Sequence, residues 1–339
     1  MNQKSFVRAE TRERVHRAVE KLRYAPHGAA RSLITRQTHT IGVLLPDLFG
    51  EFFSELIRGI DQAARKRGYH LLVSSSHADR AETRAMLGTM RGRVDGLLVL
   101  SADLDARELE ANLPAQIPAV LVGGSGNGSF DAIRIDNYGG ASDMVRHLVG
   151  LGHGRIAFVT GPPKNLDAAE RLRGFRDAVG RAAGASALEI PGDFREEAGY
   201  RAAARILLSK PRPTAVLAAN DAMAIGLLCA FRERLVRVPE DIALAGFDDV
   251  PMARYMTPPL TTVSVPIADL GALAAARLLH ALDAGYVPRP RREEILPTRL
   301  VIRASCGSPG PSASRRGVPA AAFERPLPEN RESNTSQDA

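Results

Sequence analysis

The residues of this 339-residue chain best suited to chemistry stand at the ends of short apolar runs. Asp47 closes LLPD, Gly123 and Gly124 close VLVGG, Pro162 and Pro163 close VTGPP, Asn220 and Asp221 close AAND, and Asp248 and Asp249 close AGFDD. Hydrogen-bonding groups gathered at the carboxyl ends of strands are what a ligand cleft in an open α/β sheet requires. The Asp248-Asp249 pair could in principle do acid/base work, but adjacent side chains seldom aim at one point. There is no G-x-x-x-x-G-K-[ST], G-x-S-x-G or HExxH, and GGSGNGS (123–129) lacks the G-x-G-x-x-G spacing. Catalysis is therefore not expected, and neither is a cofactor. Cys229 and Cys306 have no metal-type or disulfide spacing, so no metal site is expected either. Asn220 and Asp221 have a rival reading as helix N-caps, which one of the two would satisfy.

Something must place these residues together. The runs TIGVLLP, YHLLVSS, VDGLLVL, IPAVLVG, RIAFVTG, TAVLAAN and IALAGFD are continuously apolar rather than alternating, as expected of parallel strands covered by helices on both faces. Between them, FFSELIRGIDQAARKRG and DAMAIGLLCAFRERL repeat apolar residues at helical spacing, and the first ends on Gly68, a natural cap. Roughly a dozen such units are too many for one open sheet and fit two sheets facing each other across a cleft. The stretch 308–339, rich in Pro, Ser and Ala without periodicity, is expected to be disordered.

Composition narrows the class. Hydrophobic residues make up 45% and charged residues 24%, with no apolar run long enough to span a bilayer and no signal-peptide pattern at the start, which predicts a cytoplasmic protein without membrane contact. The formal charge is +7, and residues 1–40 hold six of it, with nine Lys or Arg against three Glu. A basic arm on a nearly neutral body suits a polyanion, although a solvated basic helix would look the same.

Several ordered motifs then resemble the LacI/GalR family of repressors over residues 7 to 307. VRAETRERVHRAVEKLRYAPHGAARSL resembles its third DNA-domain helix and hinge, and THTIGVLLPDLFGEFFSELIRGI its first sensor unit. GHGRIAFVTGP, ERLRGFRDAV, AVLAANDAMAIGLL, VPEDIALAGFDDVP, PPLTTVSVP and LPTRLVIRAS follow in order. The resemblance implies an α/β fold of two Rossmann-like subdomains whose parallel sheets face a cleft, periplasmic-binding-protein-like, preceded by a remnant α-helical DNA-binding segment. Its divisions would be 1–39 for that remnant, 40–135 plus 266–293 and 136–265 plus 294–307 for the two subdomains, and 308–339 for the tail.

Family members open with two helices of a helix-turn-helix, the second in the major groove. The resemblance places Met1 just after them, so either the start codon lies upstream, the favoured reading, or a truncated sensor has lost its reader. As written, the chain is expected to bind operator DNA weakly and with little sequence preference. In the hinge, Ala29, Ala30, Arg31, Ser32 and Leu33 would form a short helix supported by a partner hinge in a homodimer, with Leu33 as the wedge in the minor groove. Packing of Leu33 on its own sensor is the equal alternative.

For the sensor, the resemblance implies that Arg171, in R-x-x-G-F, binds effector. Its guanidinium would fork to adjacent sugar hydroxyls, a carboxylate or a purine edge. Asp248 and Asn220 would hydrogen-bond the ligand, Phe194 would stack on its apolar face, and one of Phe52 and Phe53 would face it. Asn165, Asp167 and Asp136, near a crossing between subdomains, are further candidates. Many sugar sensors of the family carry an acid where this chain has Gly123 or Gly124, which argues against a standard hexose. The expected function is a ligand-responsive, DNA-binding repressor with a sugar-like effector. The alternative is a sugar-binding receptor without DNA-binding activity.

Overall fold

The computed structural model describes residues 8–22, 37–77, 79–100, 106–113, 117–124, 129–283 and 292–307. The expected hinge, Ala29, Ala30, Arg31, Ser32 and Leu33, and the expected disordered tail 308–339 lie outside the described residues. The basic arm contains helix α1 (Ala9–Lys21).

Two six-stranded sheets follow. The first lobe runs β1 (Thr40–Leu45), α2 (Glu51–Arg65), β2 (His70–Ser75), α3 (Arg80–Met90), β3 (Gly96–Val99), α4 (Ala106–Asn112), β4 (Ala119–Val122) and β5 (Asp131–Ile135). The second runs α5 (Asn137–Gly150), β6 (Arg155–Val159), α6 (Leu166–Arg181), β7 (Ser186–Ile190), α7 (Glu196–Leu208), β8 (Ala215–Ala218), α8 (Asp221–Glu233), β9 (Ala243–Asp248) and β10 (Thr261–Ser264). Helix α9 (Ile267–Asp283) and β11 (Glu293–Leu296) return to the first lobe, and β12 (Arg299–Val301) closes the second.

Strand orders are β11-β5-β4-β3-β1-β2 and β12-β10-β9-β8-β6-β7, every pairing parallel except β10 with β12. β3, β4, β8 and β9 are buried along their whole length, which matches their unbroken apolar sequences, whereas the edge strand β2 is half-exposed. Gly68 takes φ +74° and turns the chain from α2 into β2, where the amide of Tyr69 donates back to the Ala64 carbonyl at 3.0 Å.

Helices pack in pairs over these sheets, close enough that backbone meets backbone. A Cβ on Gly59 of α2 would lie 1.9 Å from the Ala268 carbonyl oxygen of α9, and one on Gly271 would lie 2.3 Å from that of Leu56. Helices α7 and α8 repeat the device with Gly199 against Met223 and Gly226 against Glu196. Glycine at these points removes the only atom that would hold the axes apart.

The chain passes between lobes three times, after β5, β10 and β11. At the first and third passages the amide of Asp136 donates to the Leu296 carbonyl at 2.9 Å, and the hydroxyl of Thr298 donates to the Asp136 carbonyl at 3.4 Å. Beside them, Ser264 of β10 registers with Arg299 of β12.

Candidate functional site

The carboxyl ends of both sheets open on one cleft of about 590 Å³. The first lobe lines it with Asp47, Phe52, Phe53, His77 and Gly123, and the second with Asn165, Asp167, Arg171, Asp193, Phe194, Arg195, Asn220 and Asp248 among others. The geometry follows from parallel topology, since every strand of a lobe hands its chain to the next helix on the same side.

Arg171 sits at the floor of the cleft with its side chain 5% exposed. R-x-x-G-F divides its labour along one face of α6. Phe175 is fully buried and stacks on Phe158 of β6 with centroids 4.7 Å apart. Gly174 admits the Tyr138 carbonyl, which a Cβ would approach to 2.3 Å. Arg171, one turn toward the amino end, is thereby aimed into the cleft.

Its guanidinium is held on all sides. Nε donates to Asn137 Oδ1 at 2.8 Å, Nη1 to the Ala219 carbonyl at 2.5 Å, and Nη2 lies 3.1 Å from Asp248 Oδ1. The Phe247 ring lies under the plane at 3.8 Å and Phe194 at 5.6 Å. Burying this charge would be costly alone, and Asp248 together with the two oxygens offsets that cost. Asp248 Oδ1 stands at ion-pair distance from Arg171 without an aligned hydrogen bond and is buried against it. Burial pushes the Asp248 carboxyl up to about 6 against the pull of Arg171, and the charge of Asp167 adds to the push.

Asn137 carries the network onward, its Nδ2 donating to Asp167 Oδ1 at 2.8 Å. Burial raises the Asp167 pKa, opposed by Arg171, Arg134 and this hydrogen bond. Asp167 Oδ2 lies beside Gly123 of the other lobe, 3.2 Å from where a Cβ would be. Beneath the site, fully buried Asp221 accepts from the Thr262 hydroxyl at 2.6 Å and the Val250 amide at 2.9 Å, and burial beside Asp248 raises its pKa well above the ordinary value.

Both suggested roles of the asparagine after β8 meet in one residue. Asn220 lines the cleft, yet its Oδ1 caps α8 by accepting from the Met223 amide at 3.0 Å and its Nδ2 donates to the Phe194 carbonyl at 2.9 Å. Asn165 likewise lines the cleft while capping α6 through the Ala168 amide at 2.9 Å. Phe52 and Phe53 both line it, edge to face with centroids 5.5 Å apart. Phe194 takes φ +71°, strained for an aromatic residue, and its ring fills the space that a side chain on Gly161 would occupy. Asp136 does not line the cleft. It caps α5 by accepting from the Gly139 amide at 2.8 Å, and its neighbour Asn137 reaches the network instead. Asn137, Phe247 and the mouth residue Arg195 went unnoticed in the sequence, where only the I-D-N turn after β5 hints at the first.

The two adjacent acids diverge. Asp248 faces Arg171, whereas Asp249 turns away to Arg303, 2.6 Å distant. Among the described residues no group of His, Cys, Asp and Glu could hold a metal ion, and no helix is long and apolar enough to cross a membrane.

Residues 145–306 match the periplasmic binding protein-like domain family. The ribose operon repressor of Escherichia coli strain K12 is 38% identical over 297 residues, spanning 86% of this chain and 90% of that protein. Among solved structures, the lac repressor dimer bound to operator and the anti-inducer ONPF superposes with a TM-score of 0.80 at 31% identity, covering 90% of this chain and 92% of that one. A LacI family transcriptional regulator from Enterococcus faecium with bound ribose superposes with a TM-score of 0.72 at 31% identity, covering 78% and 98%.

Proposed function

Because the chain belongs to the LacI family of transcriptional regulators, we propose that it is a repressor whose cleft binds a small polar effector of the sugar class and passes that event to operator DNA. One observation carries the reading: the buried Arg171–Asp248 pair, tied through Asn137 to Asp167, leaves acceptors facing a cleft walled by Phe52, Phe53 and Phe194. Acceptors beside apolar ring faces suit a molecule with hydroxyls on its rim and carbon on its faces.

The proposed mechanism is a bias between two arrangements of the lobes. An effector touching both lobes favours one of them, and homodimerisation converts lobe orientation into the spacing of the two DNA-binding arms. Effector and operator then couple reciprocally, by about 1 to 3 kcal/mol in such systems. The protein acts where its DNA is, in the cytoplasm, and performs no chemistry on its ligand. The divergence of Asp248 from Asp249 supports that last point.

Calorimetric titration of the full chain with pentoses, hexoses and nucleobases tests the proposal. One sugar class is expected to bind, and Arg171→Ala is expected to abolish binding while circular dichroism shows a folded protein. Undiminished affinity in that variant would remove Arg171 from the site.

A further inference from the structure

Taking the cleft as the effector site, we propose that Asp167 determines specificity: its free carboxylate oxygen receives an effector hydroxyl beside Gly123, and its charge turns anionic analogues away, so the effector is a neutral polyol.

The argument starts from what each polar group has left to offer. Asp167 Oδ1 is occupied by Asn137, and Oδ2 has no hydrogen-bond partner among the described residues. It lies beside Gly123 of the first lobe, whose φ of +89° and missing side chain leave room for a ligand atom. The second acceptor in the cleft is the carboxylate of Asp248, whose Oδ1 is ion-paired with Arg171 Nη2 at 3.1 Å. Both accept, and a hydroxyl satisfies both by donating.

Cations are not available in the same way. Each of the three nitrogens of Arg171 already has a partner in the protein, and Asp248 balances its charge. Arg195 is paired with Asp47 at 2.9 Å, and Arg134, behind Asp167, with Glu293 at 2.9 Å. Among the described lining residues, Asp47, Glu51, Asp167, Asp193, Glu196 and Asp248 stand against two arginines. A phosphate or carboxylate in this cleft would lie next to Asp167 and Asp248 with no uncommitted guanidinium to receive it, and like-charge juxtaposition is a strong discriminator. A cationic ligand finds the Asp47 and Asp248 carboxylates already paired with Arg195 and Arg171. The neutral, donor-rich case remains.

The test is calorimetric titration of the full chain with D-ribose, D-ribonate, ribose 5-phosphate, D-glucose, gluconate, glucose 6-phosphate and glucosamine, in the wild type, Asp167→Asn and Asp167→Ser. Melting curves identify which variants fold, and either one suffices. The wild type is expected to bind a neutral sugar about 100-fold or more tighter than its anionic derivative. In the folded variant that ratio is expected to shrink at least about tenfold, because the repulsion goes while Asn137 keeps an acceptor. An anionic or amino sugar that outcompetes its neutral parent in the wild type would overturn the specificity and leave the effector site standing. A ratio unchanged in the variant would overturn the role of Asp167. Wild-type silence toward the whole panel would overturn the sugar-site reading, and the specificity with it.

Discussion

At the scale of single residues the site is governed by what burial does to carboxylates. Asp248 titrates near 6 because burial outweighs the pull of Arg171, with Asp167 and Asp221 as its acidic neighbours. In the proposed site an effector hydroxyl would donate to the ionised form of Asp248, so protonation would compete with binding. Affinity is therefore expected to be about tenfold weaker at pH 5 than at pH 7.5, and Asp248→Asn is expected to flatten that dependence, as calorimetry at several pH values would record. A rise in affinity on acidification would contradict the assignment of Asp248 as an acceptor. The same raised pKa makes folding less favourable as pH rises from about 4 to 6, since the folded form holds the proton longer than the unfolded one.

Legibility at this scale was uneven. Arg171, Asp248, Asn220 and Phe194, which the family resemblance singles out, all line the cleft, but the partners that hold Arg171 are 34 and 48 residues away, at Asn137 and Ala219. Asp136, expected in the cleft, caps α5 instead, and its neighbour Asn137 bonds Arg171. An N-cap folds its side chain back onto the helix amides, whereas the next residue is free to project, and a sequence does not announce that one-residue difference.

At the scale of elements, packing is set by where side chains are missing. Gly226→Ala would drive a Cβ to 1.9 Å from the Glu196 carbonyl oxygen and force α7 and α8 apart. Urea denaturation is expected to show a loss of about 1 to 3 kcal/mol, the usual range for overpacking. Gly180 on α6 is the control. A Cβ there meets nothing within 4 Å, so Gly180→Ala is expected to gain about 0.5 to 1 kcal/mol from helix propensity. Equal effects at the two positions would show that propensity and not helix contact decides both.

The interior strands were readable for a related reason. TIGVLLP, VDGLLVL and IALAGFD are apolar throughout because both faces are covered, and they emerge as β1, β3 and β9. β11 (EEIL) and β12 (RLV) are short, charged and partly exposed at sheet edges, so nothing in their composition separates them from loop. They are also the strands that bring the chain back to each lobe.

At the scale of the whole molecule, two contacts span the mouth of the cleft: the Asp47–Arg195 ion pair and the Met252 amide donating to Glu51 at 2.9 Å. Arg195 is 62% exposed, so the pair is worth at most about 1 kcal/mol after solvent screening. Arg195→Ala is accordingly expected to change effector affinity less than about fivefold, and less still in high salt. A hundredfold change would mean that Arg195 touches the effector itself.

The first and third passages between lobes are hydrogen-bonded at Asp136, Leu296 and Thr298, and the second lies beside the third where Ser264 of β10 registers with Arg299 of β12. Three straps fastened edge to edge make a ribbon, and a ribbon flexes readily about one line while resisting torsion and sideways slip. Travel of the lobes is then close to a single degree of freedom. Rotation about that line moves each point of a lobe in proportion to its distance from it, so a closing stroke at the cleft is tied to a displacement elsewhere on the same lobe. A lever of this kind carries a signal without any chain of side chains between its ends.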